Sequence, residues 1–124
     1  MANQKNNNEE IDMKRIEAII RPEKMDAVVE KLGELGYPGL NYTEVQGHGR
    51  QKGMKEIFRG REYDVKFVPK IKIEIVVKDD QADKILEAII KVSQTGQIGD
   101  GKIFVSEVLD AIRVRTEERG DEVL

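Results

Sequence analysis

The residues best equipped for chemistry in this chain are anion binders. Gly99-Asp100-Gly101-Lys102 sets two glycines and a lysine just ahead of an apolar run, so backbone N–H groups can converge on an anion while the ammonium neutralises it. Arg113 and Arg115 stand two apart in IRVRT; in an extended segment both project to one side and can clamp phosphate oxygens bidentately. Gly47-His48-Gly49-Arg50 repeats the theme far away in the sequence. Each element also has a plainer reading. The glycines suit a tight turn, and the arginines suit a solvated pair balancing the acidic residues that follow. Three such elements in one short chain favour a polyphosphate site over three unrelated turns. No nucleophile with a base and no carboxylate pair accompanies them, so the pattern reads as a binding protein and not an enzyme. His48 is the only histidine and there is no cysteine, which leaves no Cys/His metal set and no catalytic triad.

Composition narrows the class. A chain of 124 residues suits one domain with a single small core. The absence of cysteine excludes disulfides and fits a reducing cytoplasm. No apolar run approaches a membrane span, and the start lacks the apolar core of a signal peptide, so a cytoplasmic protein without direct membrane insertion is expected. A net charge of −3 and a pI near 5.3 argue against general affinity for nucleic acid.

The elements that must position the anion binders can be traced in order. Residues 1–12 are polar and Asn-rich and read as a disordered extension. KRIEAIIR, residues 14–21, is a largely buried strand that Pro22 stops. The helix in PEKMDAVVEKLGELG places Met25, Val28, Val29, Leu32 and Leu35 on one face, with Gly36 as the stop. Leu40 to Val45 is a second strand and Ile71 to Val77 a third. Between them, Gly47 to Lys70 is rich in glycine, lysine and arginine, far longer than a hairpin needs, and expected to protrude and act on a partner. Asp79 or Asp80 is a plausible N-cap for QADKILEAIIKVSQ, whose Ala82, Ile85, Leu86, Ile89 and Ile90 form an apolar face. A glycine-rich loop over 95–102 leads to the strand IFVSEV. A short helical turn around Leu109 to Ile112 is expected next, and the acidic residues 117–124 read as poorly constrained.

A repeat ties these parts together. A shift of 57 residues lays Ile16 on Ile73, Glu17 on Glu74, Asp26 on Asp83 and Glu30 on Glu87. Each half is strand, helix, strand. The two make a ferredoxin-like βαββαβ α+β domain, with a four-stranded antiparallel sheet, two helices on one face and a long protruding loop between strands 2 and 3. The other face needs a cover, which a symmetric oligomer supplies.

KRIEAIIRP, TEVQGHGRQKG, FRGREY, VPKIKIEIVV, TGQIGDGKIFV and IRVRT together closely resemble the PII signal-transduction proteins, regulators of nitrogen metabolism. The resemblance runs from Met13 to about Thr116 and implies a PII-like domain over 13–116, with a T-loop over about 47–70 and a B-loop over about 95–102. It implies a homotrimer with ATP or ADP in each cleft between subunits, held by Asn41, Gly49, Arg50, Val76, Gly99, Asp100, Gly101, Lys102, Arg113 and Arg115. It implies Mg2+ bound with ATP and helped by Gln51, and 2-oxoglutarate as effector near Gln51, Lys52 and Lys70. The T-loop of such proteins engages an ammonium transporter, which recruits them to the membrane, or glutamine synthetase or another enzyme of nitrogen assimilation. Arg59 matches the partner contact and Tyr63 a residue modified in some relatives.

Several positions depart from that pattern. Asn41 stands where threonine is common, Glu23 replaces a common phenylalanine, and Arg61 takes the place of a serine phosphorylated in some relatives. An energy sensor of the same fold that ignores 2-oxoglutarate is one alternative. An RNA-binding module on the same fold is another, disfavoured because only Phe104 is available for base stacking in its strand.

Overall fold

Alternation decides the first strand. In β1, Met13–Ile20, Ile16, Ala18 and Ile20 are buried while Arg15, Glu17 and Ile19 take the other face. Pro22 then opens a 3-10 turn over Pro22–Lys24, which runs into α1, Met25–Glu34. Gly36, at φ 91°, ends this helix, and Tyr37 N–H reaches back to the Leu32 carbonyl at 2.8 Å, a glycine C-cap. The structure, a computed structural model, describes residues 12–37, 39–48, 55–58, 61–64 and 67–124.

The main sheet has the order β2-β5-β1-β6, where β2 is Asn41–His48, β5 is Phe67–Lys78 and β6 is Gly101–Glu107. Every neighbouring pair is antiparallel, as the ferredoxin-like reading requires. Glu17 and Glu74, equivalent in the repeat, stand opposite each other in the β1–β5 register, where a two-fold relation between the halves puts them. On one face Ile16, Ala18, Ile20, Ile71, Ile73, Ile75 and Val77 join Val28 and Leu32 of α1 and Ala82, Ile85, Ala88 and Ile89 of α2, Ala82–Ser93, in one core. The helical stripes are narrower than the spacing predicts. Val29 and Ile90 are 37% and 47% exposed, because the two helices also pack on each other and leave these flanks uncovered.

Three local expectations need correction. Neither Asp79 nor Asp80 caps α2: a 3-10 turn over Asp79–Gln81 precedes it, Gln81 is the N-cap without a side-chain bond, and Asp79 instead pairs with Lys14 at 2.9 Å. β2 and β5 both run past their expected ends, pairing as far as His48 with Phe67, and a second ribbon joins β3, Lys55–Phe58, to β4, Arg61–Asp64. Such pairing rests on backbone hydrogen bonds, which apolar patterning does not register. After β6 no helical turn forms over 109–112. The chain instead folds back as a small hairpin, with Ile112 bridged to Arg119, Arg113 N–H donating to the Glu118 carbonyl at 2.9 Å, and Gly120 N–H to that of Ala111 at 2.9 Å. Residues 117–120 are therefore constrained, contrary to the reading of an unconstrained acidic end.

Candidate functional site

Strand register places the chemistry on the face opposite the helices. That face carries Asn41, Thr43, Val45 and Gly47 of β2, Val68 to Val76 at alternate positions of β5, Arg15, Glu17 and Ile19 of β1, and Lys102 and Phe104 of β6. Its middle is charged. Arg15 lies 3.5 Å from Glu17 and 3.9 Å from Glu74, and Lys72 lies 3.8 Å from Glu17. Apolar surface on this face is thus confined largely to its ends.

At one end, where β2 finishes and β6 begins, lies a hollow of about 430 Å³. Gly47, Lys70, Gly99, Gly101 and Lys102 line it, with Ile19, Val68, Ile98 and Phe104 as apolar walls and His48 at the rim. His48 is exposed and tilted against Phe67, ring centroids 5.3 Å apart. A Cβ on Gly47 would make only ordinary contact, with Lys70 Cγ at 3.4 Å, whereas Gly101 has a steric reason to be glycine. A Cβ on Gly101, which has φ 110°, would fall 1.8 Å from the Ile19 carbonyl oxygen.

The loop over 95–100 is organised around its own anion. Asp100 accepts the Thr95 hydroxyl, the N–H groups of Thr95 and Gly96 at 2.8 Å each, and Arg21 Nε at 3.1 Å. These bonds, the Thr95 hydroxyl foremost, hold the Asp100 carboxyl far below the usual carboxylate range. Arg21 also donates to the Ile98 carbonyl at 3.0 Å, strapping the loop to the end of β1. The N–H groups of Thr95 and Gly96 turn inward to Asp100, which acts as a positioning residue for the loop. Lys70 adds a second strap by donating to the Gly99 carbonyl. Burial and then the neighbouring Arg21 push the Lys70 pKa down, while Glu23 and Asp100 oppose this.

Of the remaining predicted residues, Asn41 and Val76 lie toward the opposite end of the face. Asn41 pairs with Glu74 at the start of β2, and Val76 lies near the end of β5. Arg113 and Arg115 follow β6 at the end where Val108 N–H bonds the Met13 carbonyl. They do not share an extended segment: residues 114–116 form a turn, so alternation no longer puts the two on one side. Gly49, Arg50, Gln51, Lys52 and Arg59 lie outside the described residues, as do residues 1–11 of the extension. Tyr63 stands on β4 opposite Glu56.

Sequence reasoning missed Arg21 and Thr95, whose signal is the spacing of a threonine five residues before an aspartate in a glycine loop. It also missed the apolar walls Ile19 and Ile98. Among the described residues no group of three His, Cys, Asp or Glu side chains is placed to hold a metal.

Comparison with known proteins bears directly on this arrangement. A family model described as Nitrogen regulatory protein P-II matches residues 13–118. The Nitrogen regulatory protein P-II of Pasteurella multocida is 54% identical over 112 residues, covering 90% of this chain and 100% of that one. Nitrogen regulatory protein P-II 1 of Escherichia coli K12 is 57% identical over 109 residues, covering 88% and 97%. The crystal structure of Arabidopsis thaliana PII bound to citrate superimposes with a TM-score of 0.73 at 40% identity, covering 90% of this chain and 91% of that one.

Proposed function

Because the chain belongs to the nitrogen regulatory protein P-II family, we propose that it is a non-catalytic sensor of ATP, ADP and 2-oxoglutarate that works as a homotrimer. The observation that carries this reading is the division of the candidate ligands between two ends of one sheet face. Gly99, Gly101, Lys102 and Lys70 are at one end; Asn41, Val76, Arg113 and Arg115 are at the other. A polyanion lying across a single chain would cross Glu17 and Glu74, which are paired at the centre. Two copies in a closed ring instead bring the lysine end of one against the arginine end of the next, one complete cleft per subunit.

In such a cleft Lys102 neutralises phosphate oxygens, the arginines supply forked donors, and Val76 and Ile19 offer apolar contact to the base. A hard cation in such a cleft would be carried mainly on phosphate oxygens, with Gln51 its single protein ligand. Such an ion, held by Gln51, would supply positive charge to offset that of the phosphates and a dicarboxylate. Lys70 provides the counter-charge for a dicarboxylate, and the Arabidopsis relative was solved with a polycarboxylate, citrate, bound. A dicarboxylate that draws Lys70 away from Gly99 links the effector to the loop beside the nucleotide. The excursion between β2 and β5 starts at this hollow, so its conformation follows the ligand state and selects the partner, an ammonium transporter or an enzyme such as glutamine synthetase. Arg59 is assigned to that contact and Tyr63 is a candidate for modification. The protein is placed in the cytoplasm and reaches the membrane only through a transporter; among the described residues no helix is long and apolar enough to cross it.

Calorimetric titration tests this. ATP with Mg2+ should bind and create a 2-oxoglutarate site that ADP does not create. Binding of both nucleotides without any 2-oxoglutarate response would leave an energy sensor; binding of neither would end the nucleotide reading.

A further inference from the structure

We propose that Glu118 is a built-in competitor for the phosphate that Arg113 receives, so that this side chain sets how tightly the nucleotide binds. The inference rests on the nucleotide reading above. Glu118 Oε1 lies 2.5 Å from Arg113 Nη1 and accepts the Thr116 hydroxyl at 2.7 Å, so the guanidinium already holds an oxyanion. A phosphate oxygen seeking the Nη1 donor must displace that carboxylate oxygen, while the other N–H groups of the guanidinium stay available to it.

Backbone geometry delivers this contact. Glu117 adopts a left-handed φ of 63° and its N–H donates to the Arg113 carbonyl at 2.7 Å, while Arg113 N–H donates to the Glu118 carbonyl at 2.9 Å. The hairpin therefore presents Glu118 to Arg113 through its own register. Arg119 is occupied in the same manner by Asp110, 2.7 Å away. Arg115, by contrast, has no ion pair among the described residues, which leaves one arginine of the pair open and one filled. Hydrogen bonding from Thr116, followed by that from Arg113, holds the Glu118 carboxyl below its ordinary pKa.

The pair is half-exposed, with side-chain exposures of 38% and 47%, so its effect is modest. Glu118→Gln keeps the backbone register and an acceptor for Thr116 but removes the charge. In the full chain, titration with ATP and Mg2+ should show affinity rising about two- to fivefold, with no such rise in an Arg113→Gln background. The Arg113 side-chain NMR signal of the ligand-free variant should shift from its position in the unsubstituted protein, as the guanidinium loses its carboxylate, with the thermal midpoint little changed. Unchanged or weaker ATP binding overturns the proposal, and weaker binding would assign Glu118 to holding Arg113 in its binding pose. If the unsubstituted protein binds ATP but Glu118→Gln does not alter it, only this inference fails. If neither binds ATP, the nucleotide reading fails and takes the inference with it.

Discussion

Lys102→Ala and Arg113→Ala, each crippling alone, should together restore about a quarter of the nucleotide sites. The two residues lie at opposite ends of the open sheet face, with the Glu17–Glu74 pair between them. In the proposed ring, a complete site takes its lysine from one subunit and its arginine from the next. Either substitution removes charge-assisted hydrogen bonds to phosphate, about 1.5–3 kcal/mol, or roughly ten- to hundredfold in affinity. When the two variants are unfolded together in equal amounts and refolded, subunits mix at random. A given cleft receives an intact lysine end half the time and an intact arginine end half the time, so about one cleft in four is whole, whatever the ring size. Calorimetry with ATP should return that reduced stoichiometry at unaltered affinity, while each variant refolded alone shows only weak binding. A mixture that binds no better than its parents would refute the shared site. So would full-strength binding by either variant alone.

Three further substitutions test how the site is held. Gly101→Ala should destabilise the protein by about 3–5 kcal/mol, summing a forbidden φ and the loss of β1–β6 hydrogen bonds as the strands part to relieve the 1.8 Å approach to Ile19. Gly47→Ala, whose nearest contacts are at 3.4 Å, should cost well under about 1 kcal/mol, and denaturant titration yielding similar values for both would contradict the steric argument. Asp100→Asn addresses the loop. The folded carboxyl is depressed, so its stabilisation is present above the unfolded pKa of about 4 and fades as pH falls below it. Thermal midpoints followed from pH 7 into acid should therefore decline more steeply in the unsubstituted protein than in Asp100→Asn, which starts lower; parallel acid limbs would remove Asp100 from its organising role.

The strands and helices were legible where burial imposes a period. Ile16, Ala18 and Ile20 alternate, Val28 and Leu32 recur at one turn, and the 57-residue shift joined the two halves before any contact was known. Legibility failed where backbone geometry outweighs apolar patterning. The β3–β4 ribbon, the hairpin over 110–120 and the inward turn of Asp100 are all set by hydrogen bonds between polar groups, which leave no periodic trace. Val29 and Ile90 show the converse, apolar residues in phase with the core that the packing leaves at its margin.

By itself the sequence determined the architecture and the inventory of anion-binding groups, because both depend on residue type and spacing along the chain. Only the tertiary structure decided how those groups are divided. Antiparallel strands carry residues near in sequence to opposite ends of a sheet, so Lys102 and Arg113 part company while Lys70 and Gly99 meet. It also decided which charges are already spent within the chain: Asp100 on its own loop, Glu118 on Arg113. Such pairings depend on which backbone atoms approach in three dimensions.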